Sequence, residues 1–484
     1  MAELQIGQNQ PPTHHGGLEN LDAEYSYWIE DYEGLIPHDL QGTFFRNGPG
    51  RQKIGGNPYG HWFDGDGMVC AFTFKEGKVH FKNAYVRTPK YLQETAEQTI
   101  KYRGFGTQVP GGFLSNVGKM PANPANTNIM YHAGKLFALN EGGHPWEVSP
   151  TNLNTVGEYD FDGDLARSQV FSAHGRIHQA TGDYINFGAG VSGMTLKGPQ
   201  ACLNLYRINP AGKMVNQTQV PLDNFPFCHD FAITDKHALF FIGSIVFGGM
   251  GSVMLGLKTI SDGIVYNPKI NMQILAVDLD TFTVSRTFDT NEHGSLIHFG
   301  NAFQRGEEII VDGMFQTGFA ANSTLVDVFN PESRFSGGYY NRYFLNMTNG
   351  QMRTERVNDV ESEFPTFNTK LTGQESSVCY TACSVDNGAN GFFNAIQRVD
   401  FDGHCDLLTL PPGHYGSEPL FAPATGATKE DDGYLLEVVY NAYSHKSELL
   451  VLRADNIHDV ICKLPLNHHL PHQFHGHFTP EVFC

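Results

Sequence analysis

IMYHAGKLFAL, residues 129–139, is a pair of short runs rich in β-branched and aromatic residues with Ala-Gly between them. Such a stretch reads as two antiparallel strands and a tight turn, because alternate side chains can bury one face while glycine tolerates the reversal. The pattern recurs in AFTFKEGKVHF (71–81), LYRINPAGKMV (205–215), AFQRGEEIIVDG (302–313) and IQRVDFDGHCDLL (396–408). No segment carries an apolar stripe over four helical turns, and only YLQETAEQTIKY (91–102) reads as a short helix. The 53 Gly and 25 Pro are scattered along the chain, as many turns require, with no low-complexity block. The expected fold is therefore all-β: a sandwich, barrel or propeller, of which 484 residues without a linker favour the propeller.

A net charge of −19 argues against nucleic acid, whose phosphates demand a basic patch, and against a purely electrostatic hold on anionic lipid. The eight cysteines, at 70, 202, 228, 379, 383, 405, 462 and 484, form no CxxC pair, and a chain of this length needs no stapling. They read as reduced, with Cys228 beside His229 a small buried hydrophobe rather than a ligand. The N-terminus lacks the positive region and apolar core of a signal peptide. Residues 1–20 are expected to be a flexible arm and 21–484 a single domain of a cytoplasmic protein. One stretch, ALFFIGSIVFGGMGSVMLGL (238–257), has 20 residues without a charge, the length of a membrane span. Its five glycines and polar flanks favour instead a strand leading into an apolar surface loop, a candidate peripheral contact with lipid.

Four histidines stand in short apolar runs: His174 in FSAHGRI, His229 in FPFCHDFAI, His298 in LIHFGNAF and His475 in QFHGHF. A buried neutral imidazole offers one lone pair to a cation. Four of them without a thiolate suit ferrous iron, Fe2+, better than calcium or structural zinc, and leave two of six octahedral positions for dioxygen and a water or vacancy. The intervals between them are 55, 69 and 177 residues, which fits one ligand per blade for blades of about 60 residues. The FDGDGM run (63–68) offers two carboxylates, Asp64 and Asp66, but not the other oxygens of a calcium loop, and its glycines suit a tight turn. The tract NHHLPHQFHGH (467–477) is histidine-rich, a composition that can bind metal by itself.

These histidines lie among Asn-Gly-Pro-Gly (47–50), FDGDGM, ANTN (125–128), NEGG (140–143), EFP (363–365), SEP (417–419) and EDDG (430–433), in that order. From about Tyr27 to about Phe478 the chain resembles the carotenoid cleavage oxygenase family, and is most similar to its cyanobacterial-type apocarotenoid oxygenases. The resemblance implies a seven-bladed β-propeller with loops and short helices capping an iron centre. It implies that His174, His229, His298 and His475 bind Fe2+, that Glu141, Glu363 and Glu418 orient His229, His298 and His475, and that His174 has no such glutamate. Of the 467–477 tract only His475 matches a ligand, leaving His468, His469, His472 and His477 to line a tunnel or the surface. Thr127 in ANTN matches a position beside the open coordination site, where its methyl limits access. The implied reaction is oxidative cleavage by O2 of a carbon–carbon double bond in a carotenoid or apocarotenoid, giving two carbonyl products. Two alternatives within the family are stilbene cleavage and retinoid isomerohydrolase chemistry. Stilbene cleavers carry a lysine close before the ANTN-like motif, whereas here the nearest is Lys119. The bond cleaved, the preferred end group and the oligomeric state are not set by these motifs.

Overall fold

A computed structural model describes residues 12–195, 198–319, 325–326, 328–330, 335, 337–385 and 392–484. Strands take 47% of the chain and helices 8%, so the all-β expectation holds. Each of the five hairpins forms, with turn-flanking pairs Lys75↔Lys78, His132↔Lys135, Ile208↔Met214, Arg305↔Glu308 and Val399↔Cys405. The expected helix is shorter and earlier, Pro89–Glu97, because Pro sits in its first turn, the Thr88 hydroxyl accepts from Tyr91 N–H, and Gln98 turns left-handed (φ 52°).

The sheets are antiparallel and stack through apolar cores. Phe45, Val69 and Ala71 pack on Ile129, Leu136 and Ala138 of the next sheet. Phe137 and Leu139 meet Tyr184 and Tyr206, and Phe187 and Leu203 meet Phe240 and Val277. The series continues through Phe241 on Val311 and Tyr343, Tyr340 on Cys379, and Tyr380 on Leu435 and Leu450. It returns to its start where Leu436 and Val451 pack on Phe44 and Phe72. Central strands sandwiched in this way are buried on both faces, as Gly433–Asn441 is, whereas the outer strand Met214–Pro221 alternates between half-buried and exposed. The chain's ends meet in one sheet, with Gly42–Arg51 paired to Gly476–Thr479 in the register Thr43↔Thr479 to Arg46↔Gly476.

Two expectations about chain segments are resolved. The uncharged stretch 238–257 spans most of the strand His237–Ile242, the strand Ile245–Phe247 and the short helix Met250–Met254. No helix among the described residues is long and apolar enough to cross a membrane. Residues 1–11 of the expected arm lie outside the described residues, but residues 12–20 are docked rather than free. His14 stacks on Phe392 with ring centroids 4.3 Å apart, and Leu18 is 6% exposed. Gly17 C=O accepts from His472 N–H at 2.7 Å, and a Cβ on Gly17 would lie 2.3 Å from the His472 ring, so only glycine permits the approach. The polar composition of the first 20 residues concealed this apolar contact. Leu18→Ala should cost about 2 kcal/mol, the low end for a buried leucine because a terminus can undock alone. Chemical denaturation checks this; no loss would mean that the segment is not held.

Candidate metal centre

The sheet edges that face inward carry the four histidines. His174 precedes the edge strand Arg176–Ile177, His229 precedes Ala232–Ile233, His298 lies in Gly294–Arg305 and His475 precedes Gly476–Thr479, each in a different sheet. Their ring nitrogens all lie within 4.8 Å of one another. The Nε2 atoms of His174 and His229 are 3.0 Å apart and those of His298 and His475 are 3.2 Å apart. Two ligands at about 2.1 Å from one ion and at right angles would be about 3.0 Å apart, so the arrangement fits adjacent positions around a metal. The four imidazoles form a cluster that could hold a metal ion.

Neutral imidazoles bind metal, and burial favours that form at two of the four. His174 and His298 are held well below the ordinary imidazole range, by burial first and by the neighbouring histidines second. The nitrogens facing away from the cluster meet carboxylates. His298 Nδ1–H donates to Glu363 Oε2 at 2.8 Å and His475 Nδ1–H to Glu418 Oε1 at 2.8 Å, while His229 Nδ1 contacts Glu141 Oε1. Burial alone would raise the Glu141 carboxyl, but the charge and hydrogen bond of His229 outweigh it and hold Glu141 low. Glu363 lacks that compensation and burial pushes it up to about 8. Such partners fix the tautomer that directs Nε2 inward.

The sequence motifs brace this geometry. The Asn47 side chain donates to the carbonyls of Ala125 and Asn128 at 2.9 and 2.8 Å, and its backbone N–H to His475 C=O at 2.9 Å. Thr127 C=O accepts from His475 N–H at 3.3 Å. Its hydroxyl donates to Asn126 Oδ1 at 3.2 Å and accepts from Asn140 Nδ2 at 3.0 Å. In FDGDGM, Asp64 accepts from Gly106 N–H (3.0 Å) and the Thr107 hydroxyl (2.6 Å), whereas Asp66 pairs with Arg51 (2.8 Å) and Lys90 (3.0 Å). The two carboxylates are each satisfied by protein donors. Gly67 is a strand residue rather than a turn residue: a Cβ there would lie 2.2 Å from Ala125 C=O. Cys228 is not a thiolate ligand, since burial pushes its thiol up and Sγ donates to Asp230 C=O at 3.6 Å. All eight cysteines are free. Of the histidine-rich tract, His472 is a core residue stacked near His14 and Phe392, His469 is buried beside His445, His468 stacks on Tyr25, and His477 lines the cavity described next.

Two faces of the centre differ. On one, a cavity of about 340 Å³ touches His174, His298, His475 and Glu418, and its wall follows the chain onward from each ligand or partner: 175–179, 364–370, 420–423 and 476–480 among them. The other face belongs to His229 and Glu141, whose side chains are 11% and 34% exposed, against 7% and 8% for Glu363 and Glu418. A continuous series of aromatic contacts runs from the centre into a buried core. Phe364 lies 5.1 Å from both His298 and His475, and contacts then run through Phe393, Phe335, Trp62 and Phe474 to Phe63.

Sequence reasoning found no partner for His174, and the structure places Asp230 nearest, with Oδ1 3.7 Å from Nδ1. Asp230 is already paired with Arg176 at 2.8 Å and accepts from Phe231 and Phe299 N–H groups. Its position next to His229 was the available signal. Arg46, fully buried, was also missed: it donates to Glu418 C=O at 2.7 Å and Phe474 C=O at 3.2 Å.

Comparison with known proteins gives a consistent picture. The family model described as "Retinal pigment epithelial membrane protein" matches residues 18–480. The chain is 34% identical to the apocarotenoid-15,15'-oxygenase of Synechocystis sp. over 95% of this chain and 94% of that one. It is 28% identical to a lignostilbene-α,β-dioxygenase (isozyme III) of Sphingomonas paucimobilis over 92% of each. Among solved structures, cobalt-substituted Synechocystis apocarotenoid oxygenase superposes with a TM-score of 0.87 at 34% identity, covering 96% of this chain and 98% of that one. A variant of the same enzyme in which tryptophan is replaced by alanine gives 0.86 at 34% identity, again covering 96% and 98%. Other variants of it alter a threonine and, 14 residues on, the glutamate that immediately follows that tryptophan.

Replacing His174, His229, His298 or His475 with Ala should abolish metal content while leaving the strand-rich circular dichroism intact. Glu141→Gln, Glu363→Gln and Glu418→Gln should each weaken metal affinity by about 10- to 100-fold. Glu141→Gln should cost least because its carboxylate is the most exposed. Metal analysis by mass spectrometry checks both, and stoichiometric metal in two of the histidine variants would refute the ligand set.

Proposed function

Because the chain belongs to the retinal pigment epithelial membrane protein family, which includes the carotenoid cleavage oxygenases, we propose that it is a non-haem Fe(II) dioxygenase cleaving a double bond of a carotenoid or apocarotenoid. The observation that carries this reading is the convergence of four imidazoles, three held by glutamates, beside Phe364 and the aromatic side chains packed behind it. We read the sheets as seven blades of one domain, 21–484. Support comes from the closed succession of inter-sheet cores, with the seven-stranded sheet counted as two blades sharing the 15-residue strand Met352–Thr366.

Bound at the four histidines, ferrous iron would supply the binding and activation of dioxygen. The protein's own part is positioning. Glu141, Glu363 and Glu418 fix the imidazoles, and the aromatic side chains beside them align a rigid polyene and exclude water. Thr127, its hydroxyl held by Asn126 and Asn140, would limit access to the open coordination positions with its methyl. In the overall reaction the carbon–carbon double bond and the O–O bond both break, and each carbon leaves with one oxygen as a carbonyl. No proton is lost or gained, so no general acid or base is required. The phenolic alternative is weakened by Lys119, the nearest lysine before the ANTN motif, which is exposed. Purified iron-loaded protein given an apocarotenal under ¹⁸O₂, with products reduced at once, should yield two labelled fragments. Release of an unlabelled cis alcohol from a retinyl ester supplied in its place would favour isomerohydrolase chemistry, and cleavage of stilbenes alone the phenolic reading.

A peripheral membrane contact of a cytoplasmic protein completes the reading. Arg103 donates to the carbonyls of Lys119 (2.7 Å), Val253 (2.9 Å) and Lys258 (2.7 Å), tying the short helix Phe113–Asn116 to the segment after Met250–Met254. The joined surface exposes Leu114 (84%), Met120 (74%), Met254, Leu255 and Leu257. The lip anticipated from 238–257 is thus partly relocated: Val253 is buried and Phe247 half-buried, whereas Leu114 and Met120 come from another segment. Inserting one such side chain in lipid gains about 1.5–3 kcal/mol. Leu114→Ser, Met120→Ser and Leu257→Ser should each lower liposome association roughly tenfold without altering metal content. Unchanged flotation of the triple variant would remove the docking surface.

A further inference from the structure

Asn140 is the residue before Glu141, half-buried on the open face of the centre. Its Nδ2 donates to Thr127 Oγ1 at 3.0 Å and to Asn126 Oδ1 at 3.2 Å, and its Oδ1 accepts from Gly142 N–H at 2.9 Å. Thr127 and Glu141 are separated by 14 residues, the same spacing as the threonine and glutamate altered in variants of the Synechocystis enzyme. In that enzyme the residue immediately before the glutamate is tryptophan. Asn140 therefore stands where the relative has an indole.

Two physical differences follow. An indole has one N–H and no acceptor, so it cannot reproduce the two donations and one acceptance that Asn140 makes. An indole is also much larger than a carboxamide, so Asn140 fills less space beside Thr127 than the relative's side chain would, next to Glu141, whose side chain is 34% exposed. The amide hydrogens are both committed, so Asn140 does not offer a donor to the substrate. Its effect is one of width.

We propose that Asn140 is a specificity-determining residue that widens the substrate channel next to the metal centre, admitting polyenes bent by a cis double bond near the site of cleavage. The inference rests on the polyene-cleaving reading above. A straight all-trans chain fits a narrow channel and a wide one, whereas a cis bend needs lateral room where the chain passes Thr127. A pocket contact differing by one methylene already changes discrimination by about 10- to 200-fold, so an indole in this space should act at least as strongly.

The test is a competition. A photo-isomerised mixture of one apocarotenal is supplied to the iron-loaded parent, Asn140→Trp, Asn140→Phe and Asn140→Ala, and the depletion of each isomer is followed by chromatography. The isomers retained anaerobically by each protein are identified as well, a readout independent of turnover. The parent and Asn140→Ala should consume and retain cis isomers alongside the all-trans form. Asn140→Trp should shift the ratio of cis to all-trans consumption down by at least about 10-fold, and Asn140→Phe by an intermediate amount, which keeps the test decisive if the tryptophan variant fails to fold. A parent that already rejects cis isomers, or filled variants with the parent's ratio, overturn this inference alone. A parent that holds iron yet cleaves no isomer overturns it together with the proposed reaction.

Discussion

An imidazole presents Nε2 in one tautomer and one orientation when its other nitrogen is held, and three of the four clustered histidines are built around this constraint. His229, His298 and His475 meet carboxylates at Nδ1, and each comes from a different sheet. Four nitrogens must then converge within 4.8 Å although their strands belong to separately packed layers. A ligand set tolerates errors of only about 0.5 Å, so the distances between sheets must be fixed by close-packed cores rather than by the site itself. Pairing Gly42–Arg51 with Gly476–Thr479 has the same consequence, because His475 immediately precedes that last strand.

Burying carboxylates to hold imidazoles creates a second demand, which the flanking residues meet. Glu418 accepts from Gly476 N–H at 2.7 Å and lies 3.7 Å from Arg46. Arg46 is itself without solvent exposure and bridges two backbone carbonyls, so the pair is stabilised by hydrogen bonds as well as charge. Glu363 accepts from Gln316 Nε2 at 3.2 Å. Phe364, next to it, is left-handed at φ 54°, and Ala125, two residues before Thr127, at φ 53°. Such conformations cost about 1–3 kcal/mol each and persist where surrounding contacts over-determine them. For Ala125 those contacts include the Asn47 side chain, so the Asn-Gly-Pro-Gly motif is a brace rather than a ligand.

What was legible in the sequence follows the range of the interactions concerned. Hairpins such as 129–139 could be read because strand, turn and strand are neighbours in the chain. The four histidines stood out because a polar ring in an apolar run needs a purpose. Glu141, Glu363 and Glu418 could be found only through the order of their motifs, since a glutamate in a turn carries no sign of the imidazole 57 to 88 residues away. Arg46, Asn140 and the packing of residues 12–20 depend wholly on non-local contacts with Phe474, Thr127 and His472. The uncharged stretch 238–257 forms no helix long and apolar enough to cross a membrane, and its apolar surface is shared with Leu114 and Met120, which the Arg103 tie brings alongside.

The charge inventory explains why His174 lacks a glutamate of its own. Around the centre stand the carboxylates of Glu141, Glu363, Glu418 and Asp230, and the guanidiniums of Arg46 and Arg176. Glu437, fully buried, adds its carboxyl beside Arg46 and Glu418, so acidic groups outnumber basic ones here, a balance that favours a cation. Burial pushes Glu363 up to about 8. A further carboxylate committed to His174 would leave the metal-bound centre with a buried uncompensated charge. Asp230 avoids this by standing 3.7 Å from His174 Nδ1 with its charge already taken by Arg176 at 2.8 Å. His174 is thus oriented chiefly by its strand and neighbours, while the three with glutamates are oriented by charge.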